Sequence, residues 1–365
     1  MQSSLLELIQ VRIFTFGDYA SHAYGCLCFA LDGSVRASFP HERESFYRTE
    51  DGFLELLYVD ARAVTARFVL VRDAPMLFHG SSVGLNNRLY LSEALAFDNP
   101  AKHHVGPLHR PAVLINSVPK SGTYFLQRAF QEMGYAPTHL HLGNTTVHDN
   151  RSLAGDATIH SNPRLHEVSL ATGLLPFFLS PGSVTVGHID DLSVLTHFRC
   201  AHICVIAVVR DLRAILWSLY RFKVAVVDPV DDTDRRWRTR SSHLEKFMGF
   251  LAYHLTHDLV HISNCFRSFA SLADTPVLRY EDLVDGALSQ ATHRQLDLAL
   301  SGCGGAAAFL AAVSAAHGAP TPTLTSSLAG LPELLPSEEA EIRRLIDAVV
   351  AGSALGELNA LFGYR

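Results

Sequence analysis

An α/β fold is what the sequence predicts, with a parallel sheet flanked by helices and a small β-rich module ahead of it. Three observations carry this. Short β-branched runs recur after residue 110, at 112–115, 184–186, 203–209 and 277–280, each of buried-strand length. Three of them lead into helical spacing, beginning near residues 124, 212 and 281. Before residue 100, short apolar runs alternate with turn signals instead, which points to antiparallel strands.

The N-terminal apolar runs lie at 11–16, 24–31, 53–59 and 64–71, and Asp32-Gly33 and Asp51-Gly52 are hairpin punctuation between runs of this kind. Residues 1–100 therefore read as an accessory module, one that binds glycan, packs or dimerises. Residues 101–110 read as a linker. His103, His104 and His109 fall in 98–110 and suit a solvated segment or a metal site. The main domain is 111–365.

The main domain is organised around 111–130, PAVLINSVPKSGTYFLQRAF. An apolar strand, a small-residue turn and a helix start point backbone N–H groups at an anion. Lys120 adds a cation, Ser121 and Thr123 add hydroxyls, and Gly122 lets the backbone approach closely. The order is not that of a Walker A loop, because the lysine precedes the glycine.

Downstream, 138–163 is polar and rich in histidine, with no period, and reads as a loop for substrate contacts or plain surface. Residues 174–179 are interrupted by Pro176. His188 ends the strand around 184–186, where open parallel sheets bind ligands; it is either a general base or a strand-end polar group. Arg210 ends the next strand, Asp211 caps a helix over 212–222, and Ser218 offers a hydroxyl on it. Residues 226–240 read as a charged loop or lid, and 241–269 as one long helix. His254, His257 and His261 share a face of that helix, a polar face or a zinc face. A last amphipathic helix is expected over 338–350.

Three blocks in order, V-P-K-S-G-T-Y-F at 118–125, the strand-R-D-L-R segment at 204–222 and V-L-R-Y-E-D-L at 277–283, resemble PAPS-dependent sulfotransferases of bacterial type. The resemblance covers about 110–300. It implies a three-layer, P-loop nucleotide-kinase-like fold and PAPS as co-substrate, with no metal required. By the same resemblance Lys120 holds the leaving phosphate and His188 is the catalytic base. Lys120, Ser121, Gly122, Thr123 and Tyr124 form the 5′-phosphosulfate loop, with Tyr124 where the family has threonine. Arg210 and Ser218 hold the 3′-phosphate, while Asp211 and Arg213 support the turn. Phe125, in place of the family's tryptophan, and Tyr280 lie by the adenine. The family's basic, glycine-rich tail segment is replaced here by 323–331, which has no arginine, lysine or tryptophan. Small sheet domains of bacterial glycan-modifying enzymes resemble 32–68, which suggests a carbohydrate acceptor. A lipid, phenol or natural-product hydroxyl, a small-molecule kinase and a non-catalytic nucleotide or glycan binder are the alternatives.

Composition narrows the partners. Net charge is −6 and 48% of residues are hydrophobic, which gives ample core and no broad basic surface for nucleic acid. The six cysteines are scattered, with no C-x-x-C pair, as in reduced cytosolic proteins. The N-terminus lacks the basic start of a signal peptide, and no run approaches the roughly 20 apolar residues of a membrane span. A cytoplasmic enzyme is expected, and a homodimer is compatible with it.

Overall fold

The computed structural model describes residues 4–21, 23–97, 110–152, 166–225, 227–254, 258–319, 331 and 334–364. The chain divides into two compact units. One comprises Met1–Pro107, Thr145–Val147 and Val168–Pro181, and the other comprises Leu108–Asn144, His148–Glu167 and Gly182–Arg365. The first unit thus takes in two segments that lie beyond the sequence boundary at 100.

In the first unit, helix α1 (Leu5–Gln10) starts with a reciprocal cap between Ser4 and Glu7. Eight strands follow: β1 (Arg12–Asp18), β2 (Ala23–Phe29), β3 (Val35–Ala37), β4 (Phe46–Glu50), β5 (Phe53–Leu57), β6 (Val64–Asp73), β7 (Met76–Ser82) and β8 (Arg88–Ala96). They pair antiparallel in the order β3-β2-β1-β8-β7-β6-β5-β4. The Val35 N–H donates to Ser45 O (2.9 Å) and the Tyr47 N–H to Gly33 O (3.0 Å), so the two edges meet and the sheet closes barrel-like on itself. Phe14, Phe29, Phe68 and Phe78 fill the interior. Asp51 and Gly52 both take positive φ, 51° and 79°, the mirror-image turn that the β4–β5 hairpin needs. Residues 174–177 of the stretch interrupted by Pro176 lie in a 3₁₀ turn, Thr172–Phe177.

The second unit is α/β. Its sheet has the strands β9 (Val113–Ser117), β10 (Ala136–Leu142), β11 (Thr146–Asp149), β12 (Glu167–Ser169), β13 (Ser183–Gly187), β14 (Cys204–Val209) and β15 (Val277–Arg279), in the order β12-β11-β10-β13-β9-β14-β15, and the unit boundary divides β11 and β12, with 146–147 and 168–169 counted in the first unit. The pairs from β10 to β15 are parallel. Strand β9 is central and fully buried, which explains its unbroken apolar run. Its helices are α2 (Thr123–Glu132), α3 (Leu192–Cys200), α4 (Leu212–Ala225), α5 (Asp232–Arg238), α6 (His243–His254), α7 (Asp258–Ala270), α8 (Tyr280–Asp285), α9 (Gln290–Ala299), α10 (Gly305–Ala316), α11 (Pro336–Ala351) and α12 (Ala354–Ala360). Leu126 and Phe130 of α2 and Phe309 of α10 pack with Val113, Ile115, Val184 and Val186 of the sheet. A second cluster surrounds Tyr220, whose ring meets Phe247 edge-on at 5.2 Å and Phe250 at 5.6 Å.

Three expectations are corrected. Residues 232–238 form helix α5 rather than a lid: Asp231 caps it, Trp237 is buried, and the buried Asp234 pairs with Arg238 at 2.6 Å. The start of the polar stretch at 138 is strand, β10 and then β11, not loop. The single helix over 241–269 is two described helices, α6 and α7, with 255–257 outside the described residues. The linker histidines 103, 104 and 109, His257, and 323–330 of the tail also lie outside them.

Candidate active site

Parallel strands put their carboxyl ends on one side, and ligands bind where successive strands diverge. Here β13 and β14 flank β9 on opposite sides. A cavity of about 640 Å³ opens there. It is lined by Lys120, Gly122 and Thr123 after β9, His188 after β13, Arg210 after β14 and Tyr280 after β15. Tyr124, Phe125 and Ser218 line it too, so the cavity brings together every sequence-predicted site residue except Ser121. Ser121 is fully buried beneath the loop, and its hydroxyl has no hydrogen-bond partner among the described residues.

The loop is shaped by its backbone. Lys120 (φ 69°) and Gly122 (φ 92°) are both left-handed, and Gly122 caps α2 without a side-chain bond. The first N–H groups of α2 are therefore left without intrahelical partners, and a ten-residue helix points its positive end at the cavity. A Cβ on Gly122 would sit 2.6 Å from the Tyr280 ring. That ring is held between Phe125, edge-on at 6.1 Å, and the Arg210 guanidinium at 4.4 Å. Gly122→Ala combines strain with this clash and should destabilise the protein by roughly 1–3 kcal/mol, read by denaturant unfolding; unchanged stability would mean that Tyr280 moves aside freely.

The cavity is cationic. The Lys120 ammonium lies 3.8 Å from the centre of the Phe222 ring. Burial, then the charges of Arg210 and Lys223, pull its pKa down to about 7. Arg210 donates to Lys120 O at 3.3 Å and faces Glu281 at 3.8 Å, yet its buried Nε makes no hydrogen bond. Asp211 and Arg213 stay out of the cavity. Asp211 accepts from the Arg213 N–H at 2.9 Å, and Arg213 reaches Asp347 at 2.8 Å.

His188 is held on both sides. Its Nδ1 lies 2.7 Å from Ser117 O. A carbonyl only accepts, so Nδ1 carries the hydrogen and Nε2 keeps its lone pair. The Asn116 amide grips Ile189 in both directions, donating to its O at 2.9 Å and accepting from its N at 2.7 Å. Burial pulls His188 down to about 3, against its bond to Ser117, with His261, Lys120 and His148 pushing the same way as burial. The ring is thus neutral, with Nε2 unprotonated.

No family model matches the chain, and no curated protein does. Among solved structures, mouse sulfotransferase SULT7A1 complexed with PAP is similar at 13% identity and a TM-score of 0.36, covering 70% of this chain and 89% of that one. So loose a likeness leaves the function to be argued from the site.

Several lining residues are not named as site residues by the sequence, although His141, His148 and Asn150 fall in the 138–163 stretch and His261 on the histidine face expected over 241–269. His141, His148 and Asn150 come from the β10–β11 region, with His141 4.5 Å from His188 between ring centres. Tyr124 turns its hydroxyl to His141 Nδ1 at 3.1 Å. Lys223, Asp258 and His261 line the same cavity. Lys223 pairs with Asp258 at 3.6 Å, and His254 binds the same carboxylate. His261 pairs with Asp190 at 2.9 Å, so His254 and His261 have separate carboxylate partners rather than one shared ion site.

Proposed function

We propose that the protein transfers a sulfuryl group from PAPS to a hydroxyl of a carbohydrate acceptor. The observation that carries this reading is the convergence of Lys120, Arg210 and a helix N-terminus with a neutral imidazole, His188, in one cavity. The positive groups suit a donor with phosphates at two positions. Lys120 and the loop N–H groups face the bridging oxygen on which charge builds as the S–O bond breaks. Arg210 and Ser218 take the 3′-phosphate, and Phe125 and Tyr280 flank the adenine. Tight binding of the product end favours transfer only insofar as these contacts strengthen in the transition state. His188 Nε2 receives the acceptor's proton. His141, His148 and Asn150 give the acceptor end hydrogen-bonding groups rather than an aliphatic wall, which supports a polyhydroxylated acceptor over a lipid.

The test is calorimetry with PAP, followed by a PAPS turnover panel of pyranosides, phenols and long-chain alcohols. Arg210→Ala should weaken PAP by roughly 10- to 100-fold, as loss of a charged hydrogen-bonding group costs about 1.5–3 kcal/mol. Binding of ATP with magnesium, and none of PAP, would replace this reading by a kinase. PAP binding without turnover of any acceptor would favour a non-catalytic binder.

A further inference from the structure

Ser117 is fully buried at the end of β9, between the two halves of the site. On one side its carbonyl accepts from His188 Nδ1 at 2.7 Å, with its hydroxyl 3.3 Å from the same nitrogen. On the other its hydroxyl lies 2.5 Å from the Thr123 hydroxyl. The imidazole limits the direction of this chain. Nδ1 already carries a hydrogen, so the Ser117 hydroxyl cannot donate to it. Thr123 Oγ1 is the acceptor in reach of the Ser117 hydroxyl's hydrogen, and in that arrangement the Thr123 hydrogen is left for the cavity that Thr123 lines.

We propose that Ser117 is a positioning residue that couples the base His188 to the donor loop, fixing the ring by its carbonyl and orienting the Thr123 hydroxyl as a donor to the phosphosulfate. This rests on the sulfuryl-transfer reading above. In that reaction the acceptor oxygen bonds to sulfur and its proton goes to His188 Nε2. The bond from sulfur to the bridging oxygen breaks with its electron pair, and PAP leaves. A ring that has gained this proton is a stronger donor at Nδ1. That N–H faces the Ser117 hydroxyl at 3.3 Å as well as the carbonyl, and its gain in charge strengthens the hydroxyl's bond to Thr123, so that the leaving phosphate gains support as the base takes its proton. His188 then releases the proton to solvent.

Two measurements test the coupling. The first uses no donor: ¹⁵N NMR of the His188 ring in the ligand-free protein. Wild type should show the Nδ1-protonated tautomer. Thr123→Val should move the Nδ1 resonance, and the same change made on top of Ser117→Ala should move it no further. A Thr123→Val spectrum identical to wild type at Nδ1 overturns the proposal, whatever the donor proves to be. The second is PAPS turnover. Ser117→Ala should lower kcat about tenfold or more with KM for PAPS nearly unchanged, Ser117→Thr should restore much of it, and the Ser117→Ala loss should shrink when His188→Gln is already present. Equal losses in both backgrounds overturn the coupling. A wild type that neither binds PAP nor turns over PAPS defeats the sulfotransferase reading, and the NMR result still decides the hydrogen-bond chain.

Discussion

His188→Gln should cut PAPS-dependent turnover by roughly 10²- to 10⁴-fold while leaving PAP affinity nearly intact. The glutamine amide can keep a bond to Ser117 O, so the end of β13 stays in place, but it cannot take a proton at cavity pH. The pH profile of wild type adds a signed expectation. With the free ring pulled down to about 3 by burial and by His261, Lys120 and His148, His188 is neutral across the physiological range. The kcat/KM profile, which reports groups of the free enzyme, should therefore show no acid limb from His188 near pH 6.5. Such a limb, if seen and then abolished by His188→Gln, would mean that the ring is far better solvated than its surroundings imply. A limb that survives the substitution belongs to a group other than His188. Full turnover in His188→Gln would remove the residue from the chemistry altogether.

What the sequence makes legible follows from how each element is stabilised. The β9–loop–α2 segment is readable because β9 is buried on both faces and so is apolar throughout, and because only glycine takes the left-handed turn at Gly122 without strain. His188 is readable because β13 is a five-residue buried strand that ends one residue before it. The contribution of β10 is hidden. Its alternation is short, it includes Pro137, and its register with β13 is irregular between Pro137 and His141, with His139 left-handed at φ 56°. Helix α5 is hidden for another reason. Its charges look solvated in sequence, yet Asp234 and Arg238 are buried against each other, at 0% and 9% side-chain exposure, so polarity there marks an internal ion pair rather than a surface. Asp258 and His261 sit on α7, where periodicity says which residues are buried but not which of the others meet the cavity.

Lys120→Met should lower turnover by roughly 10²- to 10³-fold, the scale on which one donor to a developing oxyanion acts. Methionine keeps an unbranched stem against Phe222, so the loss isolates the charge. The lysine also predicts a linkage that turnover alone would miss. In the free protein burial, Arg210 and Lys223 hold its pKa down at about 7, so near neutral pH a good part of Lys120 is uncharged. A bound nucleoside bisphosphate brings negative charge within reach of the ammonium and raises that pKa. The complex then binds more protons than the free protein between about 7 and the raised value, so PAP binding takes up protons there. Affinity is greatest below about pH 7 and falls as pH rises through this window. Calorimetry in buffers of different ionisation enthalpy measures the uptake directly. Wild type should take up a fraction of a proton per PAP at pH 8, and Lys120→Met should take up much less and bind PAP with a flatter pH dependence. An uptake unchanged in Lys120→Met would assign the proton to a group other than Lys120. No uptake in wild type would mean that the lysine is already fully charged in the empty site, with the repulsion from Arg210 and Lys223 relieved by the paired carboxylates Glu281 and Asp258.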